Sequence, residues 1–192
     1  MKSYRCKWAS SHELFIPYHD TEWGVPVKDD RYLFEKLSLE GAQAGLSWLT
    51  VLKKRDAYKL LFDNFDVDII ARYEQQKIDE LLSDPRIIRN KLKVNSVVSN
   101  AQAVIKLRSE FDNFSDYIWS FVGDNPITNE WRSLSEIPAN TEISDRMSKD
   151  MKKRGFKFVG TTICYAFMQG IGMVNDHEMD CFRYAEIRSG NY

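Results

Sequence analysis

Apolar residues in this chain recur at three- and four-residue steps and nowhere alternate over a strand-length run, which confines it to an all-α fold. Leu33, Phe34, Leu37 and Gly41 make one such stripe and predict a helix over about 30–43. The longest pattern starts at Ile87 and Ile88, runs through Val94, Val98 and Ile105, and predicts helix over 87–109. Shorter helices are expected behind Ser47, Asp66, Ser115 and Ser144, whose side-chain oxygens can take an amide hydrogen left unbonded in a first turn. Glu74 to Leu82 reads as a further helix, stopped near Pro85. The helix behind Ser144 runs to Arg154 and stops at Gly155, since glycine takes the left-handed conformation cheaply. A new helix opens near Thr161 and continues to about Gln169. Residues 123–143, with Pro126 and Pro138, read as the longest loop. There is no internal repeat, and 192 residues suit one domain, 1–192, of two lobes around a cleft.

A formal net charge of −1 argues against a broad electrostatic grip on nucleic acid. Local basic clusters exist at Lys53–Arg55, at Arg86–Lys93 and at Lys152–Lys157, and each also suits a solvated helix face. No apolar run is long enough to span a bilayer, so no membrane partner is expected. The start MKSYRCKWASSHE lacks the apolar core of a signal peptide, and a cytoplasmic, reducing location is expected. The three cysteines, Cys6, Cys164 and Cys181, then serve packing or metal rather than disulfides.

His177 and Cys181 stand four apart in HEMDC, which a helix would place on one face. Cys6 and His19 form a second pair near the N-terminus. Two thiolates and two imidazoles complete a tetrahedral, closed zinc set that would clip the chain ends together. The spacing is not that of a standard zinc finger, and four unrelated packing residues fit it too. His12 is expected at the surface and Cys164 in the core.

In KKRGFKFVGTTICYAFMQ, Gly155 and Gly160 bracket a tight turn between two helices, at about 145–170. The free amides and positive dipole end of the helix starting at Thr161 suit a phosphate. The hydroxyls of Thr161 and Thr162 and the charges of Lys153, Arg154 and Lys157 would add to it. This is the pattern of a helix-hairpin-helix clamp on a DNA backbone, and equally of an ordinary helical hairpin.

LEGAQAGLSW places Glu40 in a run of apolar and small residues, and a buried carboxylate needs partners. Aromatic residues reach 13%, and Trp8, Phe15, Tyr18, Trp23 and Trp48 supply flat faces that could sandwich a nucleobase or simply fill a core.

Taken together, YHDTEWGVP at 18–26, LEGAQAGLSWLTVLKKR at 39–55, KKRGFKFVGTTICYAFMQ at 152–169 and VNDH at 174–177 resemble the 3-methyladenine DNA glycosylase I family, from about Cys6 to Cys181. The resemblance implies a helix-hairpin-helix glycosylase acting as a monomer on double-stranded DNA that contains alkylated bases. It implies structural zinc at Cys6, His19, His177 and Cys181, and Glu40 as the acid that contacts the base. Tyr18 and Trp48 would line the pocket, with Trp8 and Trp23 near it. Where the family often has tyrosine this chain has Phe15, carried over only as a pocket wall. Many related glycosylases place a catalytic aspartate after the hairpin in a pattern like VDTH, and here Asn175 falls in that place. An N3-alkylated adenine is cationic and already a good leaving group, so the expected reaction is hydrolysis of its N-glycosidic bond without a strong general acid. The rival readings are a zinc-stapled DNA-binding module without catalysis and a helical interaction domain with an incidental aromatic core.

Overall fold

A computed structural model describes residues 4–192; Met1 to Ser3, the first residues of the stretch read for a signal peptide, lie outside the described residues. Helix α1 (Phe15–Thr21) follows a 3₁₀ turn at Lys7–Ser11. Helix α2 (Asp30–Gln43) matches the predicted stripe and opens on Asp29, whose side chain accepts the Tyr32 amide at 2.8 Å. Every residue from Leu33 to Ala42 is buried, so α2 is enclosed on all sides rather than amphipathic. Helix α3 (Trp48–Leu52) is capped by Ser47 as expected. Helix α4 (Arg55–Leu61) follows, and α5 (Val67–Ile70) is capped by Asp66, also as expected.

Helices α6 (Gln75–Ser83) and α7 (Lys91–Leu107) come next. The 87–109 expectation is too long at its start. Asn90 caps α7 by accepting the Lys93 amide, and Ile88 instead gives its amide to the Tyr58 hydroxyl. Helix α8 (Phe114–Trp119) is capped by Asn113, not Ser115, whose amide goes to Asp30. Helix α9 (Glu142–Lys153) is likewise capped one turn earlier than expected. Thr141 and Ser144 exchange side-chain bonds with each other's amides, so Ser144 is the third helical residue of a capping box. Helix α10 (Thr161–Gly170) agrees with its prediction, and α11 (Phe182–Arg188) closes the chain.

The absence of strands needs one correction. Residues Ile127–Thr128 (β1) pair in parallel with Val174–Asn175 (β2), tying the 123–143 segment to the C-terminal region. Two residues per strand are too few to show as alternation in a sequence. HEMDC is a second correction: it forms turns, and Cys181 is the residue before α11 rather than part of a helix with His177.

The core surrounds α2, with α3, α7, α8 and α10 packed against it. Cys164 lies inside it, as expected, while His12 is half-buried and accepts the Leu14 amide. Chain ends meet on the far side. Gly172 has φ of +73° and an added Cβ would lie 2.2 Å from the Val25 carbonyl carbon, so only glycine lets the C-terminal segment pass this close to the N-terminal one. No helix among the described residues is long and apolar enough to cross a membrane.

Candidate active site and metal centre

Cys6, His19 and the pair His177 and Cys181 come from three separate parts of the chain, and all four are buried. One ligand atom from each lies within 4.8 Å of all the others. His19 Nε2 is 3.2 Å from His177 Nδ1 and 3.4 Å from Cys181 Sγ. His177 Nδ1 is 3.7 Å from each sulfur. The outward ring nitrogens are also fixed. His19 Nδ1 meets Asp20 at 2.7 Å and His177 Nε2 meets the Trp23 carbonyl at 2.9 Å. Arg5 in turn holds Asp20 with a two-pronged contact. This set could hold a metal ion, and it joins α1 to the segments just before α11.

Beside it opens a cavity of about 320 Å³, at the small end of the range for ligand pockets, roughly 300–1,000 Å³. Trp8, Tyr18 and Trp23 line it from the N-terminal region, and Trp48 from α3. Tyr165, Ala166 and Gln169 on α10 form the facing wall, and Leu134 to Ala139 contribute an edge that sequence reading placed only as loop. Glu40 enters from α2 and is 5% exposed. Phe15 does not reach the cavity; its ring meets Trp8 edge-on at 5.8 Å, which corrects its expected place on the wall. Tyr18 and Trp48 lie 5.4 Å apart, and the Trp48 indole N–H is buried without a partner. A buried donor left unpaired costs free energy, and this one lies on a residue of the cavity wall.

Lys36, which sequence reading missed, lies one helical turn before Glu40 and is fully buried. Its Nζ donates to the Tyr18 hydroxyl at 3.1 Å and sits 4.2 Å from the centre of the Tyr18 ring and 5.1 Å from that of Trp48. Behind it, Arg55 bonds Glu35 at 2.7 Å and Glu22 at 2.7 Å, and Tyr32 donates to Glu22. Loss of solvation raises the Glu40 carboxyl above the usual carboxylate range, and the Lys36 ammonium opposes that rise. Loss of solvation also lowers Lys36, against the pull of Glu40 and Glu22.

The turn between α9 and α10 behaves only partly as expected. Gly155 has φ of +94°, and no atom lies within 4 Å of where a Cβ would sit at either Gly155 or Gly160, so the backbone there is open to approach. Lys157 is exposed, and its backbone is pinned on both sides by Asn100. Thr161 is not free, because its hydroxyl donates to Asp145. Arg154 is not free either, being bound to Asp150 and Glu110. Thr162 is exposed and faces the cavity rim.

The profile of the methyladenine glycosylase family matches residues 8–184. The chain belongs to the methyladenine glycosylase family. It is 49% identical over 180 residues to the DNA-3-methyladenine glycosylase 1 of Escherichia coli (strain K12), covering 94% of this chain and 96% of that protein. A crystal structure of 3-methyladenine DNA glycosylase I superposes with a TM-score of 0.90 at 50% identity, covering 93% of this chain and 98% of the other. A 3-methyladenine DNA glycosylase I from Staphylococcus aureus, whose structure concerns recognition of 3-methyladenine, gives 0.90 at 34% identity, covering 93% and 95%.

In this member of the methyladenine glycosylase family the two carboxamide and carboxylate groups after α10 are both spoken for. The Asn175 side chain donates to the Tyr184 carbonyl. Asp176 accepts four bonds, from Asn129, Trp131, Tyr165 and Gln169. It thereby fixes Tyr165 and Gln169, which line the cavity, without facing the cavity itself. Glu40 is the carboxylate left to meet a ligand there.

Proposed function

We infer that the protein is a base-excision DNA glycosylase that hydrolyses the N-glycosidic bond of 3-methyladenine in double-stranded DNA, releasing the free base and leaving an abasic site. The observation that carries the reading is Glu40, a buried carboxylate facing an aromatic cavity. To enter, the alkylated nucleotide leaves the duplex stack, at a cost of a few kcal/mol that damage lowers. Trp48 and Tyr18 take the base against their faces, with Trp8 and Trp23 closing the floor. Each aromatic face adds roughly 0.5–2 kcal/mol of cation–π attraction for a cationic ring, over and above the stacking that neutral adenine also gains. Ionised Glu40 accepts hydrogen bonds from the base edge, an interaction strengthened by the low polarity around it. The base leaves as a neutral molecule, so the bond breaks without a strong acid, and water completes the reaction at the sugar.

The turn between α9 and α10 serves as the helix-hairpin-helix contact, with Gly155, Lys157 and Gly160 against the DNA backbone. The open space above both glycines supports this. Thr161 and Thr162 contribute through their amides at the start of α10, since the Thr161 hydroxyl is taken. Lys157→Ala should weaken binding on every sequence alike and lower the salt dependence by about one phosphate contact.

Cys6, His19, His177 and Cys181 suit zinc. Zinc–sulfur bonds of about 2.3 Å and zinc–nitrogen bonds of about 2.0 Å set tetrahedral ligand separations of roughly 3.3–3.8 Å; four of the six separations run from 3.2 to 3.7 Å, and all six lie within 4.8 Å. Asp20 and the Trp23 carbonyl behind the two imidazoles are the outer partners such a site uses. Four protein ligands close the coordination, so the ion's contribution is a cross-link between the chain ends. We read the chain as one domain acting as a monomer in the cytoplasm.

Chromatography of bases released from methylated duplex DNA tests this. Wild type should release 3-methyladenine, while Glu40→Gln and Trp48→Ala should each release it far more slowly. Equal rates in all three would remove the proposed pocket.

A further inference from the structure

Lys36 poses a problem that the reaction as described does not solve. A site meant to receive a cation has a second cation packed behind its wall, fully buried and over the same two aromatic rings, Tyr18 and Trp48. A lysine is almost never fully buried without a partner, because removing an ammonium from water is costly. Its position is also well defined. Gly170 on α10 lies against it, where an added Cβ would come 3.3 Å from Lys36 Cε, 3.4 Å from the Tyr18 hydroxyl and 3.6 Å from Glu40 Oε1. All three groups therefore converge on one point of α10 that has no side chain.

We propose that Lys36 is a positioning residue for this pocket, fixing the Tyr18 hydroxyl and holding Glu40 as a carboxylate so that the empty cavity carries one uncompensated negative charge. The charge count supports it. Facing Lys36 are Glu40 and Glu35 on its own helix, Glu22 after α1, Arg55 on α4, and the phenols of Tyr18 and Tyr32. Glu35 and Glu22 are both bonded by Arg55, and Tyr32 donates to Glu22, so that group is satisfied within itself. With all ionised, three carboxylates stand against two cations, and the cluster is one negative charge in excess. A monocationic purine balances it; neutral adenine does not. Without Lys36, Glu40 would be a lone carboxyl in a desolvated wall and would take up a proton. The protonated acid would grip charged and neutral purines with nearly equal strength. Lys36 thus gives up some attraction for the substrate in return for keeping the discriminating group charged. The bond to Tyr18 has a second effect. Because the ammonium occupies a lone pair of the phenol oxygen, the hydroxyl hydrogen is left to point elsewhere.

This inference rests on the functional reading above, and the experiment separates the two. The rate of 3-methyladenine release from methylated duplex DNA is measured from pH 5.5 to 9 for wild type, Lys36→Met and Lys36→Gln. Lys36→Gln keeps a donor for Tyr18 and removes only the charge. In both variants the acid limb of kcat/KM should move to higher pH by about one unit or more, with roughly tenfold loss near pH 6 and a smaller loss at pH 8. Superposable limbs, or tighter retention of the cationic base with the limb unmoved, would overturn the proposal while leaving the glycosylase reading intact. No release by wild type would instead overturn that reading. Should either variant fold poorly, carbon-13 NMR of the glutamate carboxyls in the wild-type protein, assigned by Glu40→Gln, decides the matter. Glu40 should show the ionised shift at pH 8 before any base is added, and a carboxyl still protonated there would refute the proposal.

Discussion

Two buried clusters of ionisable groups stand side by side in this molecule, joined through neighbouring residues of α1. His19 belongs to the Cys/His set and Tyr18 to the cavity wall. Both are proposed sites for positive charge, and they differ in how they would hold it. The Cys/His set turns four ligand atoms toward one point and seals it, with every outward nitrogen already bonded. The Glu40 cluster leaves one face open and keeps an internal cation, Lys36, within reach. A closed set binds permanently and becomes part of the fold; an open and partly compensated one can take a cation and let it go. The cost is visible in the titration behaviour. Glu40, raised when folded, stabilises the protein at low pH, and this is lost as pH rises through its folded value. Lys36, lowered when folded, stabilises it at high pH, and this is lost as pH falls through its folded value. With both charged, the open cluster holds the fold back rather than supporting it.

The sharpest break between the two clusters should come from Cys181→Ser or His177→Ala. Each should abolish stoichiometric zinc in metal analysis and cost about 3–5 kcal/mol, by analogy with breaking a buried charged set. For a chain of this size that is a fall of roughly 10–15 °C in Tm by calorimetry. Full retention of Tm in both would mean that the closed cluster does not hold the fold. Glu40→Gln should act the other way round, lowering single-turnover excision by roughly 30- to 150-fold, the equivalent of about 2–3 kcal/mol for a charged hydrogen bond. Next is a stability cycle. Lys36→Met and Glu40→Gln each strand a buried partner, and the double variant should regain about 1–4 kcal/mol over the poorer single one in urea unfolding. Strict additivity would mean that the two groups do not interact. The smallest effect belongs to Phe15→Tyr, which should change excision by less than about threefold, because the ring backs Trp8 rather than the cavity. A tenfold change would place Phe15 inside the site.

Much of this was legible in the sequence where the signal is local. The stripe of α2 and the caps at Ser47 and Asp66 depend on neighbours three or four residues away, and they stand where periodicity put them. Caps at Ser115 and Ser144 were misplaced because Asn113 and Thr141 offer the same chemistry two and three residues earlier, and only the packing of each first turn chooses between them. HEMDC has helical spacing, yet the convergence of His177 and Cys181 comes from a turn shaped by the distant N-terminal pair. Lys36 was hidden for a different reason. A lysine four residues before a glutamate is the commonest mark of a solvated helix face, and nothing in LFEKLSLE says that α2 is enclosed all round. The clue that exists is the run of small residues after Glu40, which marks close approach by other segments of the chain, as at Gly41 against Phe158.

The close passage at Gly172 has a consequence for biosynthesis. The walls of the cavity come from the first fifty residues, from Leu134, Ile137, Pro138 and Ala139, and from α10, and the segment that threads past Val25 follows α10 directly. While still emerging from the ribosome, the nascent polypeptide has Trp8, Tyr18 and Trp48 but nothing to face them. Contacts so distant along the chain form late and slowly. The cavity is therefore complete only once α10 and the segment at Gly172 have packed against the N-terminal region.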